Sequence, residues 1–463
     1  MLLVLFLGTF MASLDVSIVN VAAPAIGTDL SAGGAQLQIV VAGYSVAYGA
    51  LLIVGARAGD DFGHRRMFLY GLAGFTLTSL AAGVAGSVGL LIAARIVQGA
   101  AAAFMMPQVL TLIQLNLEGA PRLKAIATNS AVIALAVVIG QIVGGALVTA
   151  DLFGLGWRSI FLVNVPVGVV LLIAGARWLP TTRRATARPQ DLVGTVWLLV
   201  ALTGLFVPVV LGHELGWPVW AWILIAVSII AAVVLHRHLH QVAAAGGVPL
   251  INLAVLRPSA VRYRLLAIGA MMMAYGGFLF TLATYLQRDL DKTAAIAGLV
   301  AAPYAAGFAI TTLVGPRIVA VRSWVVPGLV VMGAGYWAVA ASAGIPWLMI
   351  VLLVVTGAGF GLGYAPVIGA MLASVPPQHA HDGTGAFTTM NQIGYAFGVA
   401  VVGSLFLSTS GGAGGFAVAM IACGVLALVS AGAAASANRR RTNERANPDQ
   451  AARRRGRARP VLR

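Results

Sequence analysis

The stretch LDVSIVNVAAP, Leu14–Pro24, lies near one end of the first long apolar segment of the chain. It contains Asp15, and in the assignment of segments below no other acidic side chain falls inside a long apolar run. A carboxylate in hydrocarbon costs about 2.5 kcal/mol or more, so it marks a functional site and needs a partner. We expect that partner to be Arg95. The alternative is that Asp15 caps a frayed helix end or faces a loop.

Composition indicates a membrane protein. The 463 residues are 60% hydrophobic and 9% charged, with a mean hydropathy of +0.95. A soluble domain carries about 25% charged residues, so a soluble enzyme is excluded and bundles of membrane helices are expected. Cys423 is the single cysteine, so no intramolecular disulfide can form.

The first ten residues, MLLVLFLGTF, resemble a secretory signal peptide. A basic leading region is missing, however, and Asp15 is unusual for the apolar core of such a peptide. We therefore interpret this stretch as a retained membrane span. Because no polar lead-in precedes the span, a start further upstream is left open.

Windows of about 20 apolar residues are long enough to cross a bilayer, which makes them the main predictor of fold class here. Fourteen such segments are predicted, near residues 2–22, 36–56, 67–85, 88–112, 124–149, 159–179, 192–211, 219–236, 263–286, 295–314, 324–342, 347–373, 384–406 and 414–436. The expected class is an all-α membrane protein.

The positions of the basic residues test this count. If the N-terminus is cytoplasmic, 25 of the 29 Lys and Arg fall in cytoplasmic loops or in the C-terminal tail. Arg158, Arg288 and Lys292 fall outside, and Arg95 lies within a span. Such asymmetry orients membrane proteins, so both termini are predicted to be cytoplasmic. It also accounts for the net charge of +16 without nucleic-acid binding.

Two longer cytoplasmic connections, at 177–191 and 236–264, divide the chain. They predict an N-terminal six-helix bundle (1–179), a two-helix insertion (192–236) and a C-terminal six-helix bundle (263–436), with the insertion peripheral. Two six-span halves are typical of transporters whose substrate site lies between them. The basic tail 438–463 lacks apolar periodicity and is predicted to be disordered. Its arginines either contact anionic lipid or only anchor the topology.

The loop GARAGDDFGHRR, Gly55–Arg66, joins spans 2 and 3. It resembles the hallmark loop of the major facilitator superfamily, which has Gly, an acid, Gly and then paired basic residues. The matching residues are Gly59, Asp60, Gly63, Arg65 and Arg66. The resemblance implies a cytoplasmic gate, in which Asp60 and Arg65 offer an ion pair or a contact with a helix end. Asp61 and His64 depart from the pattern, since both positions are commonly basic.

Span 4, LIAARIVQGAAAAFMMPQ at Leu91–Gln108, is similar to the proton-coupling segment of that superfamily, with Arg95, Gln98 and Gly99 in the expected order. Arg95 and Asp15 each lie about seven residues, or roughly 10 Å, from the outer ends of their spans. They can therefore pair, which lowers the cost of burying each charge. Protonation of Asp15 would break the pair and favour one conformation. The alternative is a static ion pair that only orders this half.

Span 5 contains IGQIVGG, Ile139–Gly145. Antiporters of the superfamily usually show Gly-Pro followed by Gly-Gly, and Gly140, Gly144 and Gly145 match while Gln141 replaces the proline. Small residues at this spacing permit close helix packing. The missing proline leaves the direction of transport open.

Five stretches spread along the chain resemble the fourteen-span drug:proton antiporter branch. They are LDVSIVNVAAP, WRSIFLVNVPVG at Trp157–Gly168, YLQRDL at Tyr285–Leu290, GLGYAPVIGAMLASVPPQHA at Gly361–Ala380 and NQIGYAFGVA at Asn391–Ala400. The resemblance implies the major facilitator fold, with two six-helix bundles and a two-helix insertion, and export of amphipathic drugs or antibiotics against an inward proton flow. The second half has only a poor copy of the hallmark loop, because GPRIVAVRS at Gly315–Ser323 lacks an acid.

Polar and aromatic side chains in spans that face the bundle are candidate substrate contacts, although such residues more often serve packing or interhelical hydrogen bonds. They are Asn20, Tyr44, Gln98, Gln108, Gln141, Tyr275, Phe278, Asn391, Gln392 and Tyr395, with Gln114 and Tyr364 as further candidates. Because Asp15 is the lone buried acid, neutral or singly charged aromatic compounds fit better than multiply charged cations.

The expected function is proton-coupled export of small amphipathic molecules by a monomer in the cytoplasmic membrane. A phosphate-binding Gly-Lys-Ser/Thr loop is missing, which disfavours nucleotide-driven pumping, so the proton gradient replaces any cofactor. The sequence shows no catalytic acid pair or nucleophile–base pair, and we expect no enzyme activity. The histidines of HRHLH, 236–240, alternate along the helix, which disfavours a metal site. A dedicated exporter or importer of one metabolite on the same fold and a non-transporting membrane sensor are the alternatives.

Overall fold

The computed structural model describes residues 1–181, 190–318, 324–342, 345–375, 380–409 and 411–446, with the side chains of 315–318, 380, 381 and 441–446 left out. Arg183, Arg184 and Arg188 lie outside these ranges, as do Arg322 of the second-half loop and the tail beyond 446. The helices are α1 Leu2–Leu30, α2 Gly34–Phe62, α3 His64–Gly83, α4 Val88–Asn116, α5 Gly119–Ala150, α6 Ser159–Leu162, α7 Asn164–Trp178, α8 Leu192–Leu211, α9 Val219–Ala244, α10 Leu253–Leu256, α11 Ser259–Thr284, α12 Ala294–Ile318, α13 Val325–Ala341, α14 Pro346–Leu372, α15 Ala380–Ser408 and α16 Gly412–Ala446.

All fourteen predicted segments coincide with helices, the sixth with α6 and α7 together. Within the described ranges, twelve segments are long and apolar enough to cross a membrane. The helices α3 and α13 do not meet this standard, because α3 begins with His64, Arg65 and Arg66 and α13 has only 17 residues. The fourteen-span count is therefore not confirmed. The helix α16 reaches Ala446, so the first part of the tail that we predicted to be disordered is helical.

The helices form two halves that meet along two seams. In the first half α4 packs against α2 and α3, and α5 packs against α1; in the second, α11 packs against α15 and α16, and α14 against α12 and α13. The seams between the halves are α5 against α12 and α2 against α15. A Cβ at Gly99 would overlap the backbone carbonyl of Tyr44, so only glycine permits this approach of α4 to α2.

The two-helix insertion, which we predicted to be peripheral, packs against both halves. Its helices α8 and α9 pack against each other, and α8 also packs against α2 and α15, one from each half. The Glu214 carboxylate accepts a hydrogen bond of 2.6 Å from the backbone N–H of Ala35, and the Ser404 hydroxyl donates to the carbonyl of Val209. The rings of Phe206 and Phe397 meet edge to face. The insertion therefore lies across the α2–α15 seam.

The connections on either side of the insertion bind the hallmark loop. The side-chain N–H of Gln190 donates to Asp61 at 2.7 Å, and the Arg57 guanidinium donates to the carbonyl of Pro249 at 2.6 Å. Asp191 caps α8 by accepting from the N–H of Gly194 at 2.8 Å. It also accepts from the N–H of Leu250 and lies 2.7 Å from His238 Nε2. The acid at 61, which departs from the family pattern, thus has a partner outside the loop.

These contacts make Asp191 a source of acid-sensitive stability. Burial alone would raise the pKa of the Asp191 carboxyl, but the hydrogen bonds from His238, Gly194 and Leu250 outweigh it and hold the pKa below the ordinary 3.8. A carboxyl whose pKa is lowered on folding stabilises the fold above its unfolded pKa, and this stability is lost as the pH falls through the folded value.

We expect Asp191→Asn to lower the free energy of unfolding by about 1–3 kcal/mol at neutral pH, the usual worth of hydrogen bonds to a buried charge. The difference from the wild type should shrink below about pH 4, as the wild-type carboxyl becomes protonated. Thermal unfolding of the purified protein between pH 3 and pH 7 measures this. Glu118→Gln, at an exposed acid that makes no capping bond, is the control. A pH-independent difference would contradict the assignment.

Candidate functional site

A cavity of about 780 Å³ lies between the two halves. Its walls come from α1, α2, α4 and α5 on one side and from α11, α12, α14 and α15 on the other. It extends from the middle of these helices to Asp60, Asp61 and His64 of the hallmark loop, and residues 247–252 border it there. We call this end the loop side and the opposite end the far side. At the far side the Gln287 side chain of the second half donates to the carbonyl of Val21 at 2.8 Å.

Asp15 and Arg95, which we predicted to pair, form a fully buried ion pair beside the cavity. The Arg95 Nη1 lies 2.5 Å from Asp15 Oδ2, and both side chains are 0% exposed. The Asp15 carboxylate also accepts from the amides of Gln98 at 3.1 Å and Asn164 at 3.3 Å. Ser79 accepts from both amides and fixes their orientation. Several donors thus compensate the desolvation of this carboxylate.

Tyr44 separates this ion pair from the cavity. The Arg95 guanidinium lies 4.6 Å from the centre of the Tyr44 ring, a cation–π contact, while Tyr44 itself lines the cavity. The Nε of Arg95 donates to the carbonyl of Val40, but its Nη2 has no hydrogen-bond partner among the described residues. A molecule that contacts the cavity side of Tyr44 would therefore be one ring away from the buried charges.

The hallmark loop is built around His64. Gly63, with φ 97°, makes the turn that joins α2 directly to α3. His64 Nδ1 lies 2.8 Å from Gln108 Oε1, and Nε2 lies 3.4 Å from Asp60. The Gln108 amide donates to the carbonyls of Gly55 and Phe104, which leaves its oxygen to face the imidazole.

The surroundings of His64 favour the charged imidazolium, which suits a position that is commonly basic. Burial alone would lower its pKa, but the hydrogen bonds to Asp60 and Gln108 outweigh burial and raise the pKa above 6.5. Arg65 does not pair with Asp60 through any hydrogen bond in the described residues. It donates instead to the carbonyl of Ala176 near the end of α7, the helix-end contact that we predicted as the alternative.

Five of the ten predicted substrate contacts line the cavity: Tyr44, Tyr275, Asn391, Gln392 and Tyr395. Gln114 and Tyr364 do so as well. The other five are buried and do not line this cavity: Asn20, Gln98, Gln108, Gln141 and Phe278. The four amides form hydrogen bonds between or within helices, and Phe278 packs between Tyr304 and Tyr336. Interhelical bonding, the common use of such side chains, prevails here.

The glycines of span 5 bring α5 close to two different helices. A Cβ at Gly140 or Gly144 would collide with Ser17 or Ile18 of α1, in the same half. A Cβ at Gly145 would overlap the carbonyl oxygen of Ala294 in α12, in the other half. The Gln141 amide, in place of the expected proline, donates to the hydroxyl of Ser17 at 2.9 Å. Span 5 therefore contributes to the seam between the halves.

The hydroxyl side chains of the cavity wall were not predicted from the sequence. Thr9, Ser13 and Ser17 line the cavity from one face of α1, and Tyr48 lines it from α2. Their spacing could have indicated them, because residues four apart share a helix face and Asp15 lies in the same helix. Small hydroxyl side chains are common inside membrane helices, so their spacing alone did not single them out.

The sequence matches the Major Facilitator Superfamily over residues 5–194, 192–399 and 264–462. It is 34% identical to the "Probable actinorhodin transporter" of Streptomyces coelicolor, over 86% of this chain and 70% of that protein. It is 33% identical to the "Cephamycin export protein CmcT" of Amycolatopsis lactamdurans, over 85% of this chain and 82% of that protein.

The fold resembles the xylose transporter XylE from E. coli in a partially occluded inward-open conformation, with a TM-score of 0.61 and 13% identity over 93% of this chain and 96% of that one. The fold and the relatives are those of transporters, not enzymes. With twelve apolar segments of spanning length among the described residues, the chain is a multi-pass membrane protein. It belongs to the Major Facilitator Superfamily.

Proposed function

We propose that this protein exports small amphipathic drugs or antibiotics and that an inward flow of protons drives the export. The relative named as an export protein supports the direction of transport. The observation that carries the proposal is the arrangement of the cavity between the halves with the Asp15–Arg95 pair directly behind its Tyr44 wall. Substrate and proton sites are thereby adjacent without being the same.

The proposed topology has fourteen spans with both termini in the cytoplasm, since this orientation puts the basic loops inside. The loop side is then cytoplasmic, and the cavity is open to substrates from inside the cell. Alternating access would rock residues 1–179 against 263–436, which opens the α5–α12 seam and closes the loop side.

In this proposal Asp15 carries the proton and Arg95 is its charge partner. Protonation removes the negative charge that holds Arg95 Nη1, while the contacts of Arg95 with Gln98, Val40 and the Tyr44 ring remain. These remaining contacts then determine the position of the Arg95 side chain, and α4 shifts relative to α1. A ligand can change a conformational equilibrium only by its differential affinity for the two states, and the proton would supply this difference at Asp15.

The test is substrate-induced proton release from acidified everted membrane vesicles. A panel of planar aromatic antibiotics should dequench a pH-sensitive dye with the wild type, and Asp15→Asn at equal expression should abolish the signal. Asp29→Asn is the matched control, since this acid of the same helix forms an exposed ion pair with Arg158.

Three results would contradict parts of the proposal. Antiport by the Asp15→Asn variant would show that Asp15 is not the proton carrier. Substrate exchange without proton movement in the wild type would favour a differently driven exporter or an importer. If the wild type neither binds nor moves any compound of the panel, the alternative of a non-transporting membrane sensor would be favoured.

A further inference from the structure

Three hydroxyl groups on the wall of the first half have no hydrogen-bond partner among the described residues. They belong to Ser13 of α1 and to Tyr44 and Tyr48 of α2, and all three residues line the cavity. Tyr44 is 1% exposed and Tyr48 is 7% exposed. A buried tyrosine hydroxyl usually finds a partner, so these groups are available to hydrogen-bond the polar atoms of a molecule in the cavity.

The neighbouring hydroxyls of α1 differ from Ser13. Thr9 donates to Asn129 at 3.0 Å, and Ser17 donates to the carbonyl of Val137 at 2.9 Å. Both are therefore occupied by the protein itself. Ser13 lies between them on the same helix face and is the one of the three whose hydroxyl is left for a ligand.

The opposite wall, from the second half, presents ring faces. Tyr275 and Phe360 stack with centroids 5.1 Å apart and planes at 16°. The hydroxyls of Tyr364 and Tyr395 are engaged, the first by the amide of Asn391 and the second by that of Asn20 at 2.7 Å. The rings of Tyr275 and Phe360 thus offer flat apolar contact, which suits stacking of an aromatic ring.

The charged side chains that line the cavity are confined to the loop side. They are Arg57, Asp60, Asp61, His64 and Asp382. Asp15 does not line the cavity and is already paired with Arg95. A cation bound between the two walls would lose its hydration without gaining a carboxylate, which is costly, whereas an uncharged molecule avoids this cost.

We propose that the cavity selects uncharged, planar, fused-ring aromatic compounds whose edges carry hydroxyl or carbonyl oxygens. The rings stack on Tyr275 and Phe360, and the oxygens take the hydroxyls of Ser13, Tyr44 and Tyr48 as partners. This specificity rests on the proposed function and assigns Ser13 and Tyr48 as its determinants.

The test measures equilibrium binding to the purified protein without a proton gradient. The probes are a dihydroxyanthraquinone and anthracene, which share three planar fused rings, and only the first of them carries hydroxyl and carbonyl oxygens. Ser13→Ala and Tyr48→Phe should each weaken binding of the dihydroxy probe about 5–10-fold and leave binding of the unsubstituted probe unchanged, as expected for loss of one hydrogen bond. Tyr275→Leu should weaken binding of both probes.

Ser130→Ala and Tyr70→Phe, at exposed positions, are the matched controls. Equal losses for the two probes, or a tricyclic cationic dye that binds more tightly than either, would overturn the assignment. Because binding needs no proton flow, a failed antiport assay with intact discrimination between the probes would reject proton coupling and leave this specificity standing.

Discussion

Replacing Arg95 with glutamine is expected to lower the free energy of unfolding by about 3–5 kcal/mol, because it leaves the Asp15 carboxylate buried without its cation. Both side chains are 0% exposed, so water cannot compensate. The remaining donors to Asp15, the amides of Gln98 and Asn164, are neutral and lie at 3.1 and 3.3 Å. Thermal unfolding in detergent and the yield of monodisperse protein measure the loss.

The double variant Asp15→Asn with Arg95→Gln should recover much of this stability. Removing both charges removes the uncompensated carboxylate, and the remaining amides can hydrogen-bond to one another. Arg158→Gln is the control, because its pair with Asp29 is partly exposed and such pairs contribute about 0–1 kcal/mol. If Arg95→Gln cost no more than this control, the buried pair would be irrelevant to the fold. If the double variant were as unstable as the single one, lost packing of the long Arg95 side chain would be the cause.

The sequence predicted well how deep in its span a residue lies, but poorly which neighbouring helix or cavity its side chain faces. The physics of membrane helices explains both results. Depth follows from the rise of 1.5 Å per residue, so counting from the span ends was enough to expect that Asp15 and Arg95 meet. The side that a residue faces can be predicted only from an amphipathic pattern, and helices that are apolar all round have none. For this reason Gln98 and Gln141 were placed in the cavity although they face neighbouring helices.

The position of the insertion was unpredictable for a related reason. Nothing in the composition of α8 and α9 distinguishes a lipid-facing surface from one that packs on protein, since both are apolar. The contacts that place it, such as Glu214 with the Ala35 N–H and Arg57 with the Pro249 carbonyl, join residues far apart in sequence. In each of these contacts one partner is a backbone group, which the sequence of side chains does not reveal.

Replacing Gly145 with alanine is expected to disfavour the conformation described here by about 1–3 kcal/mol, a roughly 5- to 150-fold change in the ratio of the two states. The added Cβ would overlap the Ala294 carbonyl oxygen across the α5–α12 seam. Gly298→Ala should act in the same direction, because its Cβ would overlap the carbonyl oxygen of Gln141. Nearby, the Thr149 hydroxyl accepts from the Ala295 N–H at 2.9 Å, a further bond that joins α5 to α12 at this point of the seam.

Spin labels at Leu152 and Leu290, exposed residues in the connections that follow α5 and α11, report the distance across the seam in a Cys423→Ala background. Pulsed electron resonance should show a longer distance in Gly145→Ala than in the parent. Gly144→Ala separates this effect from simple overpacking, since its Cβ meets Ile18 of α1 in the same half and should reduce stability without changing the distance. If Gly145→Ala left the distance unchanged while slowing transport, the seam would not be the moving interface, and rocking of the two halves about it would have to be abandoned.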